Sequence, residues 1–571
     1  MYIDVVPNRN SRPAVLLREA WREGKRIRKR TIANLTDWPP DKIEALRRLL
    51  KGDKLLAVDD AFTIERSLPH GHVRAVLETI GRLGLDKIIS SRRCRERDLV
   101  IAMITEQLIH PCSKLATTRL WHSTTLADEL SVADADEDEL YAALDWLWSR
   151  QEAVEKKLAG RHLGEGSAVL YDVSSSYYEG RTCSLARHGH NRDRKKGKPI
   201  IVYGVMTDGE GRPIAVQVYP GNTNDSTTVP DQVQKLRERF GLTEVLLVGD
   251  RGMLTRTQIA HLREHPGLGW ISALRSPEIR DLAERADLQM SLFDQQNLAE
   301  IRSSVYPGER LIACLNPYLA EERRRKREDL LAATERDLTR ISGAVRRRTA
   351  KPLDRAAIAL KVGKVIQRYK MAKHFLLEIE DGEFRWQRNE DSIQREAALD
   401  GIYVLRTSVP AEKLSAADTV RRYKSLSQVE RLFRTLKSID LRVRPIRHHR
   451  EQRVRAHILL CMLAYYVEWH MRRALAPLLY DDESLPTDRW QRDPVAPAEI
   501  SAGAESKKVK KTTAAGEPVH SFRTLLQELA TCCRNRCRVT SDAGGATFDR
   551  LSDLTPLQER AYELLGCTQY A

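Results

Sequence analysis

The spacing of apolar positions changes character several times along the chain. Over residues 67–161 apolar side chains recur three and four apart, as in Val73, Val76, Leu77 and Ile80 or Leu99, Met103 and Ile104. That is the period of helices packed on one face, so this region is expected to be helical, with the acidic stretch 134–139 as a loop. From Ser167 the pattern shortens. AVLYDVSS, PIIVYGVMTD and PIAVQVYP are β-rich runs separated by Gly, Pro and charged turns, which predicts three consecutive strands in a meander. A helix over 228–240 capped by Thr228 follows, then EVLLVGD, a continuous apolar run of the buried-strand type. A helix over 255–264 and a strand at GWISAL complete a layered α/β pattern.

Between residues 276 and 400 the pattern breaks into long charged helices and two short strand candidates, HFLLEIE and GEFRWQ. This stretch is expected to be an inserted subdomain, because GIYVLRTS at 401–408 resumes the buried-strand signature. Residues 452–479 are apolar nearly all round and predict a buried helix. Residues 493–519 are poor in large apolar side chains and rich in Ala, Pro, Gly, Ser and Lys, so a flexible linker is expected there, followed by a helical tail. The expected boundaries are 1–60 for a basic N-terminal module, 61–160 for a helical region, 161–275 and 401–480 for two parts of one α/β core, 276–400 for the insertion and 481–571 for linker and tail.

Composition narrows the functional classes. A chain of 571 residues at roughly 150 per domain holds three or four cooperative units. The apolar run 457–469 is shorter than the roughly 20 residues needed to cross a bilayer, and the first residues carry no basic segment leading into an apolar one. No membrane partner and no secretory signal are expected, and the protein is expected to be cytoplasmic and nucleoid-associated. Lys and Arg number 95 against 79 Asp and Glu, a net charge of +16, which points to a polyanionic partner, nucleic acid first. The cluster Cys532, Cys533 and Cys537 lacks a second Cys/His pair at zinc-finger spacing.

Three carboxylates carry the candidate chemistry. Asp172 lies within one apolar strand and Asp250 ends another. Glu430 lies in the helical stretch YKSLSQVERLFRTLKS, where Tyr423, Glu430 and Lys437 are seven apart and share a stripe beside Leu426, Val429, Phe433 and Leu436; Arg434 joins it. Two Asp from neighbouring strands and a Glu from a packed helix supply the hard oxygen ligands that two divalent ions need for phosphodiester chemistry. The basic run 187–198 (RHGHNRDRKKGK) adds Arg192, Arg194, Lys195, Lys196 and Lys198 close to Asp172 as candidate phosphate contacts. Asn222, Asn224 and Asp225 are candidates to support the carboxylates, and His457 reads as a core histidine.

The spacing of Tyr423, Leu426, Glu430 and Lys437 resembles the Y-(2)-R-(3)-E-(6)-K signature of DDE transposases encoded by bacterial insertion sequences. Leu426 replaces the arginine, a departure that resembles the divergent IS-sixteen-thirty-four-like group. YDVSSSYYEG, PGNTND at 220–225, LVGDRGM, DGIYVLRTS and RPIRHHREQRVRAHI follow in the same order, so the resemblance covers residues 167–479. It implies an RNase H-like catalytic domain with a large insertion, beside a mostly helical N-terminal region and a helical C-terminal tail. It further implies two Mg²⁺ ions, replaceable by Mn²⁺, bound by Asp172, Asp250 and Glu430; cleavage at element ends and joining to target DNA; double-stranded DNA as partner; and a homodimer in the synaptic complex. By the same resemblance Trp386 is a candidate to stack on a displaced base at a hairpinned end. The alternatives are a host nuclease of the same chemistry and a non-catalytic DNA-binding descendant. End recognition is expected within residues 1–160.

Overall fold

Three apolar runs separated by turns form an antiparallel meander, β1 (Ser167–Tyr177), β2 (Ile200–Asp208) and β3 (Pro213–Pro220). Both faces of β2 are buried along its whole length, which explains why its sequence is apolar without alternation. β4 (Val245–Gly249) lies parallel to β1 on the other side, and β5 (Leu268–Ala273) parallel to β4. These five strands are those the hydrophobic pattern predicts. The sheet continues through β6 (Leu298–Ile301), β7 (Arg310–Leu315) and β8 (Ile402–Thr407) to eight strands in the order β6-β7-β8-β5-β4-β1-β2-β3. The computed structural model describes residues 1–9, 11–53, 61–540 and 546–567, and the fold is mixed α/β with this large central sheet.

The Glu451–Ala474 helix packs on β3 with one side and on the Arg95–Ile109 and Glu137–Ser149 helices with the other. A helix enclosed on all sides has no polar face to show, which is what its sequence predicts. The Gln151–His162 helix joins the same layer through a buried ion pair, Glu155 to Lys235 at 2.9 Å, and Glu155 also accepts the Val216 N–H. That β3 amide is thereby satisfied at the sheet edge.

Several local expectations are corrected. The acidic stretch 134–139 is not a loop throughout: Asp136 and Glu139 form a reciprocal capping box that starts the Glu137–Ser149 helix, as acids at a helix N-terminus can. The helix expected over 228–240 is a 3-10 turn (Asp225–Thr228), a short α-helix (Val229–Gln234) and a wide π turn (Lys235–Arg239). Thr228 turns its hydroxyl back to Asp225 O and does not cap. The insertion 276–400 is not wholly apart from the core, because β6 and β7 belong to the central sheet; only from Pro317 do two long helices and the Phe375–Glu380/Glu383–Arg388 hairpin build a separate small core. Residues 493–519 contain the Ala502–Lys510 helix, and Val495 is buried. Lys507 Nζ reaches Ala476 O and Asp481 O, so a segment poor in apolar residues is fixed by polar contacts instead.

The chain divides into two units, Met1–Pro69 with Cys532–Asp553, and the remainder. The first holds a three-stranded sheet (Tyr2–Val6, Ala14–Glu23, Arg26–Asn34) and a second one in which Cys533–Val539 pairs with both Phe62–Pro69 and Thr547–Leu551. The tail is therefore not all helical, nor is 61–160. The strand CRNRCRV is too charged to read as one alone, and its partner lies more than 460 residues earlier. The boundary expected at residue 60 lies outside the described residues.

Candidate active site

The parallel register of β1 and β4 pairs Tyr171 with Gly249, so the next residue of each strand is Asp172 and Asp250. Adjacent strands are about 4.8 Å apart, and the two carboxylates are neighbours where β4 ends and β1 runs on. Asp172 is half-buried, its Oδ1 accepting the Val173 N–H at 2.7 Å. Burial pushes its pKa up to about 7, Asp250 and Asp225 push in the same direction, and the Val173 N–H and Arg192 oppose them.

The third carboxylate comes from the Leu426–Arg434 helix, which packs on β1. Val429, Leu432 and Phe433 are its buried side, while Glu430 and Arg434 lie on the exposed side. Tyr423 belongs to the preceding helix, Ala416–Lys424, which breaks at Ser425. Its hydroxyl donates to Asp250 Oδ1 at 3.4 Å, and burial, then the Asp250 charge, raise its pKa, with Glu430 also within electrostatic reach. Tyr423 therefore contacts Asp250, although the single continuous helix expected over 423–437 is two helices followed by a π turn, Thr435–Ile439.

That π turn decides the fate of Lys437. A wide turn rotates the residues on it relative to a regular helix, and the Lys437 ammonium points inward to Asp193 Oδ1 at 3.2 Å. Burial lowers its pKa against the pull of Asp193. Arg444 pairs with the same oxygen, and Asp193 Oδ2 accepts the Tyr177 N–H at 3.0 Å. With its side chain 1% exposed, Asp193 pairs with two cations and closes the edge of β1 beyond Asp172. This residue was not among the sequence candidates. Its signal is its position, the sole acid in the basic run 187–198.

The rest of that run divides. Arg192 ion-pairs with Asp225 and acts electrostatically on Asp172, so both belong to the carboxylate neighbourhood. Arg194, Lys195, Lys196 and Lys198 are exposed on a turn shaped by Asn191, whose side chain accepts the Asp193 N–H and donates to Lys195 O. Gly221, in the PGNTND loop, lies against the carbonyls of Arg187 and Ile200 so closely that no Cβ fits; this brings Asp225 alongside the run. Trp386 is half-buried in the insertion's own core, edge-to-face on Phe375 with centroids 5.8 Å apart, as an aromatic with an apolar neighbour cluster packs. His457 is half-buried with its Nε2 3.3 Å from Val443 O, and desolvation holds its pKa at about 4.

Comparison with known proteins bears on this arrangement. The family described as Transposase DDE domain matches residues 166–467, more than half of the chain, and the chain belongs to that family. Residues 3–58 match the family described as IS1634 family transposase, N-terminal domain, so the protein is a DDE transposase of the IS1634 group. No curated protein gives a significant match. Among solved structures, a piggyBac transposase determined by cryo-EM as a synaptic complex with hairpin DNA is similar over 81% of this chain and 76% of that one, at 12% identity and a TM-score of 0.35.

Proposed function

We propose that this transposase cleaves DNA at the ends of an insertion sequence and joins them to target DNA, with Asp172, Asp250 and Glu430 holding two divalent ions, Mg²⁺ by the hardness of the donors. The observation that carries this reading is the parallel register in which Tyr171 and Gly249 pair and are followed by Asp172 and Asp250, with the Glu430 helix packed on β1. The strand order β3-β2-β1-β4-β5, three antiparallel strands followed by two parallel ones, supports an RNase H-like core. When bound, the ions polarise the scissile phosphate and stabilise the departing oxygen. The chain's own residues do the rest. Tyr423 orients the Asp250 carboxylate through its hydroxyl, Arg192 holds Asp225 beside Asp172, and Asp193 anchors the turn after the Glu430 helix. The exposed Arg434 and the exposed lysines at 195, 196 and 198 are suited to phosphate oxygens.

End recognition is assigned to residues 1–160. Within them the Ala14–Glu23/Arg26–Asn34 hairpin runs past the third strand of its sheet, so that its Glu19–Glu23/Arg26–Arg30 end is a two-stranded ribbon, a shape that a DNA major groove admits, and it is strongly basic. The duplex is bound, on this reading, by a homodimer that brings two ends together. Asp250→Asn should leave end binding within about twofold and abolish cleavage, because a neutral amide keeps the shape but not the charge that holds a cation. Retained cleavage in gel assays with Mg²⁺ or Mn²⁺ would overturn the carboxylate assignment.

A further inference from the structure

A second group of ligand side chains lies away from the strand ends. Among the described residues, Glu106, His110 and Cys112 form the one set of three His, Cys, Asp or Glu side chains whose donor atoms all lie within 4.8 Å of one another. Glu106 sits in the last turn of the Arg95–Ile109 helix and His110 is its C-terminal cap. Four residues apart, their side chains stack on one face. Pro111 ends the helix, and Cys112 returns toward Glu106.

The separations suit a small tetrahedral ion. Glu106 Oε1 is 3.5 Å from His110 Nδ1 and 3.8 Å from Cys112 Sγ. Bonds of about 2.0 Å to N and O and about 2.3 Å to S, at tetrahedral angles, put such donors about 3.3 to 3.5 Å apart. All three donors lie within 4.8 Å of one another, and drawing them in to those spacings leaves the fourth position of the tetrahedron open. The mixture of oxygen, nitrogen and sulfur suits a borderline ion such as Zn²⁺ rather than Mg²⁺. The Glu106 side chain is 8% exposed and that of His110 62%, so the ion has one buried anchor and an open route in, with a coordination position left for water. Lys114, buried nearby and within electrostatic reach of Glu106, carries the same sign of charge as the ion, and the thiolate that Cys112 becomes on binding offsets it.

We propose that Glu106, His110 and Cys112 form a zinc-class metal site, distinct from the Asp172/Asp250/Glu430 group, that fastens the end of the Arg95–Ile109 helix to the turn after it. Binding exchanges the Cys112 thiol proton for the metal–sulfur bond and releases that proton to solvent. The site adjoins Gln107, whose amide donates to Leu441 O in the segment after the Glu430 helix.

The test uses the full chain, stripped with chelator and titrated with Co²⁺, whose thiolate charge-transfer absorption reports sulfur ligation. Wild type should gain that band and tetrahedral d–d bands with one equivalent bound. Cys112→Ser should lose the charge-transfer band, and His110→Ala should bind at least about tenfold more weakly, a loss that even an indirect partner of a ligand causes. Asp250→Asn should keep the band, so the result is independent of the proposed transposition chemistry. Melting in chelator should be the same for wild type, Cys112→Ser and His110→Ala, with only wild type stabilised by added Zn²⁺; a variant that melts lower in chelator is replaced by Glu106→Gln, for which the same loss of affinity is expected. A cobalt spectrum unchanged in Cys112→Ser, or no thiolate band in wild type, overturns the site.

Discussion

The basic runs 18–30 and 187–198 look alike in sequence, dense in Lys and Arg with an occasional acid, and the fold uses them in opposite ways. In the N-terminal hairpin the acids face solvent. Glu23 pairs with Arg28 at 2.7 Å with both side chains 63% exposed, and Glu19 meets Arg30 at 3.2 Å; such pairs contribute little to stability. In the run beside Asp172 the single acid, Asp193, is buried under Lys437 and Arg444. A basic run is therefore a solvated surface or a structural clamp according to where its acid goes, and the density of positive charge does not distinguish them.

The largest effect should follow from removing that acid. Asp193→Ala leaves two cations facing each other with the β1 edge unsatisfied, and breaking a buried pair in this way costs about 3–5 kcal/mol, read as a fall in urea midpoint. Lys437→Ala should cost less, about 1–3 kcal/mol, since Arg444 still serves Asp193. If Lys437 is a clamp, its loss should leave the salt dependence of DNA binding nearly unchanged. A log–log slope that flattens by about one unit would instead return Lys437 to the phosphate-gripping role its sequence position suggests.

The hairpin should respond in the reverse manner. Arg22, Lys25 and Arg26 are exposed, and replacing all three by alanine should flatten the salt slope by nearly three units, at about 0.9 per phosphate contact, while the urea midpoint stays within about 0.5 kcal/mol. A large loss of stability with an unchanged slope would make the hairpin a packing element and erase the contrast.

The smallest effect tests whether one run can be divided. Lys195→Ala with Lys196→Ala removes two exposed cations from the same loop that holds Asp193. The slope should fall by about two units with stability unaffected. Should this pair behave like Asp193→Ala in the urea titration, the loop acts as one structural body and the division between its buried and exposed halves fails.

Legibility followed the range of the interactions. β1 to β5 and the enclosed Glu451–Ala474 helix were readable because burial on two faces or on all sides leaves a local mark, an apolar run without polar interruption. Asp172 and Asp250 were readable because a carboxylate within or directly after such a run is conspicuous. Glu430 needed the spacing to Tyr423 and Lys437, and the inward turn of Lys437 toward Asp193 was not readable, because a π turn has no strong local signature. The packing of Trp386 on Phe375 was hidden for the same reason: a residue type names the contacts a side chain can make, and packing selects among them.

By itself the amino-acid sequence determined which segments could be strands, where the carboxylates stood on them, and that the surface would be strongly basic, since periodicity and charge are carried by residues a few positions apart. Tertiary structure alone decided that β4 lies beside β1 in the register that joins Asp172 to Asp250, that Asp193 is buried beneath Lys437, and that Cys533–Val539 completes a sheet begun at Phe62. These outcomes depend on contacts between residues tens to hundreds of positions apart, where the free energy of pairing and desolvation is settled only when the chain has closed.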